Sequence, residues 1–496
     1  MKAFLMYKDQ DFDLQQPLPP QAPALIQDLE LNTLFNAMAL GDTFLFEVAK
    51  KAVLCSTQHD LDTIHYRQHI LKDCLKHAAL VREIYNLTVE AIDRERRHFL
   101  GLLSRYPDAI LHRSLEVLQM FVSILKKLRQ IADEHATEFE SEGFRRFFAM
   151  LDKELSDDYF AIVQQHLKAL EFREGVLISA RLGRGNKGIN YILRKPPERE
   201  QNWLERLFAE RAPSYSFTIP DRDESGSRTL SDLKGRGINL VANALAQSTD
   251  HILSFFAMLR TELAFYIGCL NLYGQLAQRG EPLCFPLPAP HNERRLTCTG
   301  LYDVSLALTM EQRVVSNDVQ ADGKDLIIIT GANKGGKSTF LRSIGLAQLM
   351  MQCGMFVPAT SFCANVCTGV FTHYKRREDV TMRSGKLDEE LSRMSNIIDI
   401  ITPDSLLLLN ESFAATNERE GAEIARQIIT ALLEKRIKVC FVTHLYEFAH
   451  SFYNKHMETA LFLRADRQAD GTRTFKLIEG EPLETSYGED LYKRIF

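Results

Sequence analysis

Residues Leu326–Phe340 read LIIITGANKGGKSTF, and this stretch decides what the C-terminal half of the chain must be. Leu326–Thr330 have the apolar, β-branched character of a buried strand. They run into Gly331–Ser338, GANKGGKS, the pattern G-x-x-x-x-G-K-[ST]. Strand, glycine-rich loop and helix is the context in which that pattern cradles phosphate. Glycines let backbone N–H groups close around phosphate oxygens, and the helix adds the positive end of its dipole. Gly331, Gly335, Gly336, Lys337, Ser338 and Thr339 are the expected nucleotide contacts. Lys337 would reach the outer phosphates and the Ser338 hydroxyl would ligate Mg²⁺. A nucleoside triphosphate is the expected ligand.

Downstream, Ser405–Glu411 reads SLLLLNE, a buried strand ending on a polar pair. At such an end the first polar residue usually positions the Mg²⁺ shell, and the following glutamate polarises the attacking water. Glu411 takes that base role. The metal-shell position holds Asn410 where aspartate is usual. Its amide oxygen accepts a hydrogen bond but brings no charge, so weaker Mg²⁺ affinity or slower turnover is expected. Phe441–His444, FVTH, is another strand, ending on a histidine. His444 either caps that strand or contacts the γ-phosphate or the attacking water; the order of loop, Glu411 and histidine favours contact. Between loop and Glu411 lies the polar segment Phe371–Ile398, where coupling segments of such ATPases occur.

The 496 residues suffice for two or more domains. Apolar content of 45% and charged content of 25% are ordinary for a soluble globular protein. A net charge of −5 excludes a generally basic nucleic-acid coat, so any DNA grip must be local. The nine cysteines lack paired spacing and suit reduced thiols; Cys363 and Cys367 have no second pair to complete a zinc site. The start of the chain has no signal-like apolar region, and no uninterrupted apolar run reaches membrane-spanning length. A cytoplasmic protein without a membrane partner is expected.

Residues 1–24, with Pro17, Pro19, Pro20 and Pro23, read as a loose entry. Residues 25–280 are mostly helical. Glu281–Pro290, EPLCFPLPAP, breaks helix repeatedly and marks a linker over 281–299. From 300 to 496 short strands alternate with helices. The fold class expected is multidomain: an all-α domain with a small β-hairpin insertion, then an α/β P-loop domain.

Two features stand out in the helical half. From Ile238 onward apolar residues recur at near-heptad spacing: Ile252, Phe256, Leu259, Leu263, Tyr266, Leu270, Tyr273 and Ala277. This is a long core helix, or a lever carrying motion from the ATPase to a distant surface, or both. Val176–Lys195 places two β-prone runs around a glycine-rich turn carrying Arg181, Arg184, Lys187, Arg194 and Lys195. Such a hairpin suits a phosphate backbone. The alternative is a solvated hairpin whose charges answer Glu198 and Glu200.

These residues carry a family resemblance. The run Ile329–Ala359 closely resembles the ABC-like ATPase domain of the MutS family of DNA mismatch-repair proteins. Where the family has Pro, Asn and Met before the double glycine, this chain has Ala332, Asn333 and Lys334. Asn333 thus matches the family's asparagine near the γ-phosphate, and Lys334 adds positive charge. Val315–Val319 is similar to the segment packed against adenine, which makes Asn317 a nucleotide contact; Val314 stands where some members carry an aromatic ring. Glu411–Gly421, ESFAATNEREG, resembles the signature that reaches a partner's nucleotide across a dimer, which implies trans contacts from Thr416 and Asn417. Phe413 and Ala415 replace glycines of that signature. Val442–Phe448 matches the family's Thr-His switch. Asp62–Asp73 and the long helix resemble the family's core and lever, and 175–222 a reduced DNA clamp. With about two dozen residues before the helical core, neither an N-terminal mismatch-reading domain nor a nuclease-like extension after Phe496 is expected.

The resemblance implies a short MutS-related protein: a homodimeric ATPase clamp using ATP and Mg²⁺ on double-stranded or branched DNA. Repair proteins would be further partners, and the setting would be repair or recombination rather than mismatch reading. The alternative is a nucleotide-gated ATPase whose partner is another protein and whose helical half never touches DNA.

Overall fold

The computed structural model describes residues 1–56, 60–98, 106–173, 175–195, 216, 218–220, 222–376, 385–468 and 472–483. Glu198 and Glu200, most of the 175–222 clamp stretch beyond Lys195, and 377–384 of the coupling segment lie outside the described residues. The chain forms two compact units. One joins Met1–Lys2, Glu83–Glu138 and Phe147–Arg260; the other joins Ala3–Arg82, Phe139–Arg146 and Thr261–Phe496.

Among the described residues, the regular structure of the first unit is helical apart from one hairpin. Helix Pro107–His135 opens with proline at a position where a missing N–H costs nothing, and it buries Leu111, Leu115, Leu118, Phe121 and Leu125 along one stripe. Phe121 meets Phe256 of the long helix with ring centroids 5.5 Å apart. The hairpin pairs β1 (Ile178–Leu182) with β2 (Gly188–Leu193) in antiparallel fashion. Its turn places Gly185 and Asn186 at φ +69° and +57°, the left-handed region that these two residue types tolerate. The hairpin lies close on the long helix at Gly237, where a Cβ would come within 2.4 Å of Ile178 Cδ1.

The long helix runs Glu224–Gln278, starting well before Ile238. Phe256, Leu259, Leu263, Tyr266 and Leu270 are buried as the heptad reading requires, but Tyr273 is 39% exposed and Ala277 is also in solvent. From Glu262 to Leu272 every residue is buried, so the helix is enclosed on all faces there and a single seam no longer describes it. At the end of that stretch and beyond it, Leu272 and Leu276 take the interior instead. By length and mean hydropathy alone (1.4 over an 18-residue window) this helix would pass as a membrane span, yet 61% of that window is buried inside the protein.

The second unit corrects two expectations. The N-terminal segment is no loose entry: Ala3, Leu5, Met6 and Phe12 are buried. The Leu5 N–H donates to Glu262 Oε2 (2.6 Å) and the Tyr66 hydroxyl donates to the Phe4 carbonyl (2.6 Å), so side chains pair the strap's backbone without a sheet. The proline-rich stretch after Glu281 is no free linker either. Its Leu287–Ala289 form β3, which pairs in parallel with β7 (Ser361–Asn365) at the edge of a four-stranded sheet ordered β3-β7-β4-β5, with β4 at Leu296–Leu301 and β5 at Asn317–Gln320. An edge strand tolerates Pro288 because one side needs no N–H donor.

The larger sheet has the order β12-β11-β6-β10-β9-β8. Here β6 is Leu326–Thr330, β8 Val370–Tyr374, β9 Leu406–Asn410, β10 Lys438–Val442, β11 Ala460–Arg467 and β12 Arg473–Glu479. Strands β8, β9, β10, β6 and β11 are parallel; only β12 runs antiparallel. β6 and β10 are buried along their whole length, which explains their unbroken apolar text. Helix Glu418–Glu434 covers one face with Ala422, Ala425, Ile429 and Leu432. Helix Lys337–Gln352 packs on β9 and β10.

Candidate functional site

Register places the candidate residues together. Val442 pairs with both Ile329 and Asn410, and Asn410 with Tyr374, so β6, β8, β9 and β10 end at one level. The residues just beyond those ends, Gly331, Lys375, Glu411 and Thr443–His444, gather at the carboxyl edge, where open α/β sheets bind ligands. The Glu411 N–H donates to Val442 O (2.8 Å) and the Thr443 N–H to Ile329 O (3.1 Å), which extends the ladder one step into the loops.

The loop is built for close approach. Gly331 has φ +105°, and a Cβ there would lie 2.9 Å from the Ala465 nitrogen; at Gly335 it would lie 2.7 Å from Ala465 Cβ. Gly336, φ +90°, stands directly before the helix Lys337–Gln352, whose first N–H groups are free for an anion. Lys337 is 5% exposed and donates to the carbonyls of Gly331 and Ala332, both at 2.8 Å. Burial pulls its ammonium down to about 8, Arg473 adds to the fall, and Glu411 opposes it. Asn333, Lys334 and Ser338 are exposed, and Thr339 is half-buried.

Ser338 Oγ donates to Asn410 Oδ1 at 2.8 Å, so the two candidate metal-shell residues touch. They offer neutral oxygens only, a set that suits an octahedral Mg²⁺ whose charge is balanced by phosphates. His444 Nε2 lies 3.1 Å from Glu411 Oε1. That hydrogen bond, outweighing partial burial, holds the Glu411 carboxyl below its ordinary range, with Lys375 and Lys337 helping. An ionised carboxylate only accepts, so the proton of this contact sits on Nε2. Glu411 itself has φ +54°.

A residue missed at the sequence level braces this loop together with Phe413. His373 is fully buried; its Nδ1 lies 2.7 Å from Ser412 Oγ and its Nε2 lies 3.1 Å from the Glu390 carbonyl. Burial pushes the imidazole down to about 4, so it is neutral and its Nε2–H is the donor to that carbonyl. It stacks on Phe413, centroids 5.8 Å apart. Phe413 has φ +64° although it replaces a family glycine, and a Cβ at Gly421 would lie 2.4 Å from its carbonyl oxygen. A buried histidine next to a strand end gives no periodic signal. It was legible only as part of the polar segment 371–398.

Other candidates are placed less directly. Asn317 lines a cavity of about 340 Å³ beside the loop with Val314, Lys334, Gly336, Thr339 and Phe475. Its amide, however, is spent on β12: Nδ2 donates to Phe475 O (3.3 Å) and Oδ1 accepts from the Leu477 N–H (2.7 Å). Thr416 Oγ1 donates to Glu420, and Asn417 caps helix Glu418–Glu434 by accepting from the Glu420 N–H (3.0 Å). Both are exposed or nearly so at the loop's outer edge. In the other unit, Arg181, Arg184 and Lys187 are exposed and form no ion pair among the described residues. Arg194 is also exposed and donates to Ser179 Oγ (2.9 Å); Lys195 is exposed beside it.

Sequence comparison matches the same two regions. The pattern of the MutS2 N-terminal domain fits residues 59–279, and that of MutS domain V fits 327–494. The chain belongs to the MutS family. Among curated relatives of this MutS-family chain, MutS protein homolog 4 of Mus musculus is 26% identical over 285 residues, covering 55% of the chain and 29% of the mouse protein. The DNA mismatch repair protein MutS of Thermotoga maritima is 33% identical over 186 residues, 37% of the chain and 23% of the relative. That of Leptospira interrogans serovar Lai is 32% identical over 306 residues, 55% and 35%. The chain therefore spans between 23% and 35% of the length of these relatives.

Proposed function

We propose that this MutS-family chain is an ATPase that dimerises and clamps double-stranded or branched DNA in repair or recombination. The observation that carries the reading is the constellation at one sheet edge: Lys337 inside the loop, Ser338 on Asn410, and ionised Glu411 held by His444. In this reading Glu411 takes the proton of the attacking water, and His444 orients that carboxylate and responds when the γ-phosphate leaves. Gly331, Asn333, Gly335, Gly336 and Thr339 cradle ATP. Ser338 and Asn410 would hold Mg²⁺, which supplies charge neutralisation on the phosphates. Thr416 and Asn417, at an exposed helix N-terminus, face a partner's nucleotide, and the setting is cytoplasmic. Nucleotide moves the clamp only by its differential affinity for open and closed states.

The hairpin supports the DNA part. Beside its exposed cations it exposes Leu182 (78%), Ile189 and Ile192, a surface better suited to contact than to solvent. A salt titration of the chain on branched, mismatched and plain duplex DNA tests this. A steep loss of affinity with salt supports the clamp, and no binding to any of the three at low salt sinks it.

A protein partner is the second reading, favoured by a groove of about 810 Å³ in the first unit. There Leu111, Leu115, Leu230 and Leu233 lie beside the Lys234–Asp108 and Arg173–Glu171 ion pairs, an apolar lining whose charges are already answered and which offers no net positive charge to DNA. Arg184→Glu with Lys187→Glu separates the two readings, because only the clamp loses DNA affinity with ATP hydrolysis intact.

A further inference from the structure

Glu411 and Phe413 both stand in the left-handed region, at φ +54° and +64°, with Ser412 between them. Two large side chains in that region within three positions persist only when their surroundings impose it. Glycine adopts such a backbone freely, and this chain has Phe413 where the family signature has glycine. What imposes the turn lies on the neighbouring strand. His373 of β8 pairs with Leu409 of β9, two residues before Glu411. The buried Ser412 hydroxyl has one hydrogen and finds two acceptors on this one residue, His373 Nδ1 and the His373 carbonyl, each 2.7 Å away. The imidazole also stacks on Phe413 with only 18° between the ring planes. On its far side it is anchored by the Glu390 carbonyl, 3.1 Å from Nε2. One histidine therefore holds both residues that follow the candidate base.

We propose that His373 is a positioning residue for Glu411: by pinning Ser412 and Phe413 it holds the strained turn that keeps the carboxylate on His444 and aimed at the phosphate loop. The inference rests on the reading of Glu411 as the base and goes beyond it by naming what fixes that base in place. A signature with glycine at this position reaches the same backbone unaided. A chain with phenylalanine there depends on the histidine. Without the pin the turn relaxes toward ordinary φ and carries Glu411 with it, and a displacement of about 1 Å at a reacting group can lower a rate roughly a hundredfold.

Steady-state ATP hydrolysis and calorimetric ATP binding on the full chain test this, using wild type, Ser412→Ala, His373→Asn and His373→Gln. The Asn side chain offers an acceptor near the place of Nδ1, whereas Gln offers a donor near the place of Nε2 and leaves Ser412 without its partner. Ser412→Ala and His373→Gln are expected to lower kcat by roughly tenfold to a hundredfold while the Kd for ATP moves by less than about twofold. His373→Asn should lose no more than about fivefold in kcat, the worth of the one neutral hydrogen bond it gives up. A histidine that only fills space predicts equal losses for Asn and Gln, so equal losses overturn the proposal. It is overturned as well if Ser412→Ala keeps the wild-type kcat, or if its loss lies in ATP affinity instead. A wild-type chain that does not hydrolyse ATP, or a Glu411→Gln chain that hydrolyses it at the wild-type rate, fails differently: it removes the reading of Glu411 as base, and this inference with it.

Discussion

The loop Gly331–Ser338 and the turn Gly183–Gly188 are both glycine-rich and basic, but they carry charge in opposite ways. Lys337 is buried with its ammonium on two loop carbonyls, whereas Arg184 and Lys187 stand in solvent. Burying a cation costs desolvation that only specific partners offset, so the position of Lys337 is fixed by the backbone around it. An exposed cation costs almost nothing and is fixed by almost nothing. The first region can therefore be broken by changing one atom. The second yields only to a change of net charge.

Glu411→Gln breaks the first region most sharply. It keeps shape and removes the accepting charge held by His444, so ATP hydrolysis at saturating nucleotide should fall by roughly 10²–10⁴-fold. Phosphate release measures this, and an unchanged rate would end the base assignment. Gly421→Ala tests the packing behind it. The new methyl would meet the Phe413 carbonyl, a backbone atom that cannot swing aside, so stability should drop by about 1–3 kcal/mol, read as a lower thermal midpoint. An unchanged midpoint would mean that the Glu411–Gly421 loop adapts.

On the hairpin side, Arg184→Glu with Lys187→Glu should weaken DNA binding at low salt by about tenfold or more and flatten the salt slope. DNA-free ATP hydrolysis should not move. If affinity survives, the hairpin is not the DNA surface. Lys337 supplies a pH contrast between the two regions. Its pKa is lowered by burial to about 8, so in the nucleotide-free chain it loses its proton as pH rises through 8. Phosphate binds the protonated form. ATP affinity should therefore fall toward tenfold per pH unit above that point, while DNA affinity, carried by exposed arginines, stays level. A flat ATP profile from pH 7 to 10 would show that Lys337 stays charged.

Local text was enough for the first region's strands. LIIIT and FVTH lie on parallel strands buried on both faces, whose apolar runs are unmistakable. What the text could not show is which distant residue completes a site. Phe475 and His373 sit more than thirty residues from Glu411 in sequence, and only the register of β8, β9 and β12 brings them near the loop or the Glu411 strand. The Asn317 amide, expected at the nucleotide, is tied to the backbone of β12, which only the position of that strand could reveal. The seam of the long helix misled at Tyr273 because the helix is enclosed on all faces only from Glu262 to Leu272, and where it emerges Leu272 and Leu276, not Tyr273 and Ala277, take the inner face. The proline-rich stretch misled for a related reason: an edge strand and a linker share the same composition.

The smallest effect is the most specific. Asn410→Asp would put a carboxylate against Ser338 Oγ, 2.8 Å from the present amide oxygen, without a change of volume. Near a partly exposed site one added charge is worth about 1 kcal/mol to a divalent ion a few ångströms away, so the Mg²⁺ concentration that half-saturates hydrolysis should fall roughly threefold to tenfold. The same charge disfavours a second carboxylate beside it. The Glu411 carboxyl, now held low by His444, should then rise, moving the acid limb of the rate profile to higher pH. The two shifts separate the roles of Asn410. Both together mean that it faces metal and base alike. A shift of the acid limb with unchanged Mg²⁺ dependence means that its bond to Ser338 is only a structural tie, and that the ion is held by Ser338 and the phosphates.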